Sequence, residues 1–316
     1  MRLGGLYPVY KPQEGLTRAV LQNRGAPSNM RFILPSSIED FDDIVQKMDR
    51  YGLSAIGAPA NMQGQDPDEC AAFGERAREL GLLVGEANFS GNLMSADAET
   101  VEQGIEGVRR ALRNVDLMQC RTLHILVGTK DPSNHMLAAH PYMYTDECKA
   151  ELREVLLRVM DGLDLQHTHF LIEPFNNTFF YQPEDIREFL DSVGHPRVGF
   201  QADAVNMIAF DTYFDTTSLI NRTFDLLADY IFSAHVKDLR WDPRHLILKW
   251  DEVLIGEGVF DLTTYLRRMD QLDPDTPCYC EHLPDEESYA HNFARVHEAA
   301  EAAGVSILTR GVDGDN

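Results

Sequence analysis

Short, nearly continuous runs of apolar residues recur along the chain, and longer segments with one apolar helical face separate them. Such runs are typical of strands that are covered on both faces of a parallel sheet. They predict eight strands, at residues 1–7, 53–58, 82–88, 121–127, 168–173, 197–203, 231–237 and 277–282. Helical spacing predicts eight helices, at residues 37–51, 68–80, 97–118, 145–166, 183–193, 216–229, 261–272 and 285–303. Helix-start signals stand at Asp97, Thr145, Pro183 and Asp261.

Eight strands alternating with eight helices are the signature of a closed α/β barrel, the (β/α)8 TIM barrel, which we predict as a single domain over residues 1–310. An open doubly wound sheet is the alternative, but no G-x-G-x-x-G motif follows a predicted strand. Three connections are long, at 8–36, 129–144 and 238–260, and such loops usually serve function. Residues 311–316 are expected to be a frayed tail.

The charge of the chain narrows the range of partners. Its 316 residues include 28 Lys+Arg against 51 Asp+Glu, which gives a formal net charge of −23. A surface this acidic repels phosphate backbones and anionic membranes, so neither nucleic acid nor a membrane is expected as a partner. No apolar stretch reaches the roughly 18 residues of a membrane span, and no secretory leader is expected. Five scattered cysteines without a C-x-x-C pair indicate reduced thiols and a cytoplasmic protein.

Four consecutive predicted strands carry side chains that bind metals at their ends. Glu173, Asp203 and Glu281 end strands five, six and eight, and His235 lies near the end of strand seven. Active sites of such barrels lie at the carboxyl ends of the strands, so the four are expected to meet there. Three adjacent carboxylates stay ionised only beside a cation, and oxygen ligands with one imidazole favour Mn²⁺, with Mg²⁺ or Co²⁺ as alternatives. Separate ion pairs at a polar rim are the competing interpretation.

Alternation along the strands predicts where neighbouring side chains point. Gln201 is placed one layer below the metal, and Lys237 points into the mouth of the barrel. Lys237 then either binds substrate oxygen or transfers a proton, or it pairs with an acid at the rim. His282 is expected to face the helices as a structural residue. Glu86, at the end of strand three, is expected to serve internal packing in preference to a sugar hydroxyl.

Five local motifs surround the strand-end residues, namely Glu173-Pro174-Phe175-Asn176, Asp203 with Asn206-Met207, His235-Val236-Lys237-Asp238, Gly256-Glu257-Gly258-Val259-Phe260-Asp261 and Glu281-His282. Together they resemble the xylose isomerase-like TIM barrels, the sugar phosphate isomerase/epimerase family, which includes ketose 3-epimerases, inosose dehydratases and endonuclease IV. The resemblance covers residues 160–303 well, and earlier residues match only as alternating βα units. It implies one divalent metal ion on the four strand-end residues and a dimeric or tetrameric assembly.

The resemblance also implies catalytic roles. In epimerases of the family the two metal-bound glutamates move protons on either face of the substrate, which assigns that role here to Glu173 and Glu281. The candidate substrate contacts are Asn206, Arg240, Trp241 and Phe179. At three of these places the ketose 3-epimerases usually carry other residues: glutamate at 179, histidine at 206 and arginine at 241. These departures disfavour simple ketose epimerisation.

A lyase is the close alternative. The His-Val-Lys-Asp-x-Arg run at 235–240 is more similar to inosose dehydratases. The loop at 139–144 resembles that of keto-glycoside lyases and of the large subunit of C-glycoside deglycosidases, in which a loop histidine would be the base. His140 is that candidate, with an exposed loop histidine as the other interpretation. A small companion subunit, as in the deglycosidases, is left open.

The expected function is therefore that of a metal-dependent sugar or keto-sugar isomerase or epimerase. The alternative is a lyase or dehydratase that expels a leaving group after the same proton removal. A DNA-repair endonuclease on this fold is disfavoured, because it needs a basic groove and many histidine ligands, whereas this chain carries a charge of −23. A barrel that binds sugar without turnover is disfavoured by the complete ligand set.

Overall fold

The computed structural model describes residues 1–8, 38–245, 249–283 and 285–311. Its ten strands are β1 (Arg2–Pro8), β2 (Ala55–Gly57), β3 (Leu83–Asn88), β4 (Thr122–Leu126), β5 (His169–Glu173), β6 (Val198–Ala202), β7 (Ile231–Val236), β8 (Asp238–Trp241), β9 (Trp250–Val253) and β10 (Pro277–Leu283). Eight of them close into a parallel barrel in the order β1-β10-β7-β6-β5-β4-β3-β2. The predicted barrel is thus confirmed, and each predicted strand overlaps an observed one.

Helices surround the barrel in the part of the chain that the structure describes. They are α1 (Phe41–Tyr51), α2 (Pro67–Glu79), α3 (Ala98–Leu117), α4 (Asp146–Met160), α5 (Pro183–Val193), α6 (Thr216–Leu227), α7 (Leu262–Met269) and α8 (Glu286–Ala303). The hydrophobic core fills the space between these helices and the sheet, and its largest buried side chains are aromatic. No helix among these residues is both long enough and apolar enough to cross a membrane.

The helix starts follow from side-chain caps. Asp97 accepts hydrogen bonds from the backbone N–H groups of residues 99 and 100, Thr145 from that of residue 148, and Asp261 from that of residue 264. Each cap satisfies donors that have no partner inside the helix. The prediction of α4 was wrong at its end, since the helix stops at Met160 and Gly162 adopts a left-handed φ of 65°.

One element lies outside the barrel and was not predicted. Within the long connection at 238–260, β8 and β9 pair as an antiparallel hairpin, with Asp238 opposite Val253 and Trp241 opposite Trp250. The hairpin follows β7 directly, so it stands at the carboxyl end of the barrel. The predicted functional loop at 8–36 lies outside the described residues apart from Pro8, and so does the predicted tail apart from Gly311.

Candidate metal centre

The four predicted ligands meet at the carboxyl end of the barrel. Glu173 is the last residue of β5, Asp203 follows β6, His235 lies in β7 and Glu281 lies in β10. These strands are neighbours in the barrel, and one ligand atom from each of the four side chains lies within 4.8 Å of all the others. All four residues are buried. The alternative of separate ion pairs at a rim does not describe this arrangement.

The imidazole of His235 faces the three carboxylates through one nitrogen. Its Nδ1 lies 3.2 Å from Glu281 Oε1, 3.3 Å from Glu173 Oε1 and 3.5 Å from Asp203 Oδ2. Its other nitrogen, Nε2, lies 3.0 Å from the carboxylate of Glu86. An imidazole that donates one N–H to a carboxylate and turns the other nitrogen toward a ligand cluster is the usual arrangement at a metal. The donor set therefore fits a hard divalent cation.

Lys237 lies inside the same cluster. It is 2% exposed, and its Nζ lies 2.6 Å from Glu281 Oε1 and 2.7 Å from Asp203 Oδ2. A third carboxylate, that of Glu252 on β9, is 3.8 Å away. The ammonium thus pairs with two of the four predicted ligands, and its sequence-predicted catalytic role stays a prediction. It holds positive charge where three carboxylates converge.

The acidic and basic groups of the cluster each favour the charged form of the other. Burial alone would raise the pKa of Asp203 and of Glu281, but Lys237 and His235 outweigh it, and both carboxyl pKa values are lowered, that of Glu281 strongly. Burial alone would lower the pKa of His235 and of Lys237, but the surrounding carboxylates raise both well above their usual values. Asp203 and Glu281 are therefore held as carboxylates, the form that binds metals.

His282 does not face the helices, and that prediction was wrong. Its φ of 59° is left-handed and interrupts the alternation of side chains along β10. The ring lies 3.2 Å from Glu252 Oε1 and 3.4 Å from Glu281 Oε2. Burial would lower the pKa of His282, but these two carboxylates raise it. His282 and Glu252 thus extend the charged cluster toward the hairpin.

Asn206 contacts two of the predicted ligands. Its side-chain amide donates a hydrogen bond of 3.0 Å to Glu173 Oε1, and its backbone N–H donates one of 3.1 Å to Asp203 Oδ1. The residue that was predicted to contact substrate therefore also holds ligand carboxylates in place. Hydrogen bonds of this kind fix the orientation of a ligand before the metal binds.

The other predicted site residues lie in varied surroundings. Arg240 is exposed on β8, and Trp241 belongs to an aromatic cluster with Tyr213 and the exposed Phe210. Phe179 is buried in the core and packs on Phe180 and Phe189. Their roles as substrate contacts stay predictions.

His140, the predicted loop base, caps a short helical turn. Its Nδ1 accepts a hydrogen bond of 3.2 Å from the backbone N–H of Tyr142, at the start of the turn Pro141–Tyr144. The side chain is partly exposed. Because Nδ1 accepts this hydrogen bond, the proton of the neutral ring lies on Nε2. The role of His140 as a base stays a prediction.

Three residues of the centre were not assigned to it from the sequence, namely His124, Ser233 and Glu252. His124 and Ser233 are fully buried polar side chains within apolar strands, and with Glu86 they form a layer under the predicted ligands. A polar residue in a strand that is otherwise apolar was the feature of the sequence that could have indicated both. Glu252 reaches the cluster through the hairpin, which the sequence pattern did not predict.

Comparison with known proteins identifies the family. A family model described as xylose isomerase-like TIM barrel matches residues 34–308. This chain belongs to the xylose isomerase-like TIM barrel family. No curated protein matches it significantly.

Solved structures of this family share the fold at low identity. L-Ribulose 3-epimerase aligns with a TM-score of 0.63 and 14% identity, covering 86% of this chain and 92% of the epimerase. The 3-keto-D-glucoside 4-epimerase of E. coli gives 0.62 and 14%, covering 94% and 99%. Endonuclease IV of Thermus thermophilus gives 0.62 and 15%, covering 96% and 100%. Two named sugar epimerases and an endonuclease therefore share this fold, so the fold does not determine the reaction.

Proposed function

We propose that this chain is a divalent-metal-dependent isomerase or epimerase that removes a proton next to the carbonyl of a small sugar or keto-sugar. The observation that carries the proposal is the buried cluster of three carboxylates and one imidazole at the ends of four neighbouring strands. Two similar structures, L-ribulose 3-epimerase and 3-keto-D-glucoside 4-epimerase, are by name sugar epimerases. The net charge of −23 argues against a DNA substrate.

Glu173, Asp203, His235 and Glu281 would hold the metal, and Mn²⁺ is the proposed ion because the donors are mainly oxygen with one imidazole. A bound divalent ion supplies positive charge that stabilises the oxygen of an enolised substrate. The chain's own groups supply the rest of the chemistry. Asn206 keeps Glu173 oriented through its 3.0 Å hydrogen bond.

Proton transfer is proposed for Glu173 and Glu281. Both carboxylates belong to the same cluster, and that of Glu281 is held ionised, as a proton acceptor must be. Lys237 lies 2.6 Å from Glu281 and can supply a proton to a substrate oxygen from the same side of the cluster. If one glutamate removes the proton and the other returns it, the reaction is an epimerisation or isomerisation.

Elimination is the second candidate, and the surroundings of Phe179 favour it over ketose epimerisation. At this position, where ketose 3-epimerases usually carry a glutamate, Phe179 is only 4% exposed and packs against Phe189. A substrate contact of the ketose type is thereby replaced by a core residue. In that reaction, Lys237 or His140, which lies in the loop before α4, would remove the proton next to the carbonyl of a 3-keto-glycoside or protonate the leaving group.

The test is exchange and turnover in D2O. The purified protein, loaded with Mn²⁺, is incubated with a panel of ketoses and 3-keto-glycosides, and substrate mass is followed. Gain of about one mass unit reports reversible proton removal, whereas loss of water or of an aglycone reports elimination. Glu281→Gln should abolish either signal, and Glu287→Gln, an exposed glutamate on α8, is the matched control.

The outcomes separate the candidates. Exchange without loss of mass supports an isomerase or epimerase, and loss of a leaving group makes the protein a lyase. If metal binds and no substrate changes mass, the chain alone does not turn over the substrates tested. The next experiment is then a search for a companion subunit. Absence of metal binding refutes the proposed site itself.

A further inference from the structure

Glu86 lies on β3 beneath the predicted ligands, and four polar side chains contact its carboxylate. Its Oε1 lies 3.0 Å from His235 Nε2 and 3.1 Å from His124 Nδ1. Its Oε2 accepts hydrogen bonds of 2.8 Å from Gln201 Nε2 and 2.8 Å from Ser233 Oγ. The residue is 1% exposed. Each oxygen thus has two protein partners, and these come from the neighbouring strand β4 and from β6 and β7 across the barrel.

The surroundings of this carboxylate are those of a hydrogen-bond acceptor. Its Oε2 accepts from Gln201 and Ser233, and its Oε1 faces His235 Nε2. An ionised carboxylate accepts hydrogen bonds and donates none. His235 must therefore present an N–H group to Glu86 through Nε2. Nδ1 of His124 lies 3.1 Å from the same oxygen, outside hydrogen-bond geometry.

The consequence for His235 is a defined tautomer. When the ring carries a single proton, that proton stays on Nε2 beside Glu86, and the lone pair stays on Nδ1, which faces Glu173, Asp203 and Glu281. The neighbouring negative charge also makes Nδ1 a stronger electron donor. Rotation of the ring would break the 3.0 Å contact with Glu86 and leave a buried charge partly unpaired.

We infer that Glu86 is a positioning residue of the metal centre, which holds His235 in the tautomer and orientation that bind the cation. The inference rests on the proposed function, because it requires that His235 is a metal ligand. Glu86 itself touches no substrate, since its carboxylate is buried under the predicted ligands and contacted by four polar side chains. Its effect is transmitted through the imidazole alone.

His124 extends the same arrangement to Glu173. While its Nδ1 faces Glu86, its Nε2 lies 2.8 Å from the side-chain nitrogen of Asn88 and 3.6 Å from Glu173 Oε2. The rings of His124 and His235 meet edge to face at a centroid distance of 5.7 Å. One buried carboxylate therefore contacts two imidazoles, of which one belongs to the predicted ligand set and the other borders Glu173.

Metal titration of three variants tests the inference. Glu86→Gln keeps the shape and can still accept from His235 Nε2, but it lacks the charge. Glu86→Leu removes the acceptor. Thr122→Val is the matched control, because Thr122 is fully buried on the adjacent strand β4 and donates to the carbonyl of Gly85, next to Glu86. Mn²⁺ and Co²⁺ affinities are measured by calorimetry on the full-length metal-free protein, and unfolding is measured in parallel.

The expected result is a loss of metal affinity that does not follow stability. Glu86→Gln should weaken Mn²⁺ binding about tenfold and Glu86→Leu about 100-fold, as is usual for partners of metal-bound histidines. The visible absorption of bound Co²⁺ should shift in both variants, because the geometry of the imidazole ligand changes. Thr122→Val should lose some stability and keep the wild-type affinity and Co²⁺ spectrum.

Two results would overturn the inference in distinguishable ways. Wild-type affinity and an unchanged Co²⁺ spectrum in Glu86→Gln would refute the positioning role while the metal site stands. Failure of the wild-type protein to bind either ion would refute the proposed metal function together with this inference. If Glu86→Leu does not fold, Glu86→Gln carries the test by itself, because Gln201 can turn its amide oxygen toward the new NH2 group.

Discussion

The base of the hairpin depends on one buried carboxylate, and its replacement gives a sharp test of the structure. Asp238, the first residue of β8, is 2% exposed. Its Oδ1 accepts hydrogen bonds from the backbone N–H groups of Leu239 at 2.9 Å and Phe260 at 3.0 Å. Its Oδ2 accepts from Gly256 at 3.0 Å and Gly258 at 2.9 Å. The carboxylate thus ties the hairpin to the loop that returns toward α7.

Asp238→Asn should be costly although it changes one atom. Each carboxylate oxygen accepts from two backbone N–H groups, and in the variant an NH2 group replaces one of these oxygens. The two hydrogen bonds to that oxygen are lost, and the NH2 group is placed against two N–H donors. A hydrogen bond to a charged group contributes about 1.5 to 3 kcal/mol, so the loss of two should cost about 3 to 6 kcal/mol. Asp97→Asn is the matched control, because Asn caps a helix as well as Asp does and the cost should stay below about 0.5 kcal/mol.

Fluorescence can assign this loss to the hairpin. The chain has 2 tryptophans, Trp241 and Trp250, and both lie in the hairpin. Trp250 also stacks on Tyr213 with a centroid distance of 5.7 Å. In a urea titration of Asp238→Asn, tryptophan emission should change at lower urea than the circular dichroism of the barrel. Coincident transitions at the wild-type midpoint would refute the role assigned to Asp238.

Three further predictions follow from charge and burial. Lys237→Met should destabilise the metal-free protein by about 3 kcal/mol, because it leaves buried carboxylates unpaired. The same variant should bind Mn²⁺ about tenfold more tightly, because the competing ammonium is gone, and weaker binding in calorimetry would contradict this. Mn²⁺ at about 100 times its Kd should stabilise the wild-type protein by about 2.7 kcal/mol in urea unfolding, and chelation should remove that gain. Burial lowers the pKa of His169 to about 4, below its ordinary 6.5, so the unfolded chain binds the extra proton. Stability should therefore be complete above pH 6.5 and fall by about 2 kcal/mol toward pH 4, and His169→Phe should lack this component; an equal pH dependence in both proteins would refute it.

The predicted ligands could be found from sequence because a closed parallel barrel leaves little freedom in where strand ends point. Once the strands were located, Glu173, Asp203, His235 and Glu281 had to converge. The same alternation rule failed for His282, because a left-handed φ of 59° turns its side chain toward Glu281.

The hairpin of β8 and β9 was not predicted for a different reason. Its strands are only four residues each, and all four residues of β9 are half-buried, so no apolar alternation marks it. Glu252 and its contacts with Lys237 and His282 depend on that hairpin. The part of the site that the sequence did not reveal is therefore the part built by a connection and not by a barrel strand.

The centre has two layers with different charge requirements. In the lower layer, Glu86 is matched by two imidazoles and two neutral donors, so it needs no further partner. In the upper layer, three carboxylates face one imidazole nitrogen and the ammonium of Lys237, which contacts Asp203 and Glu281. Lys237 would therefore compete with a bound divalent ion for both oxygens. Glu252, 3.8 Å from Lys237 Nζ, is the carboxylate to which the displaced ammonium can turn. Metal binding would thus change the ion pairs of Lys237 and leave those of Glu86 in place, so that Glu86 would orient His235 with and without the ion.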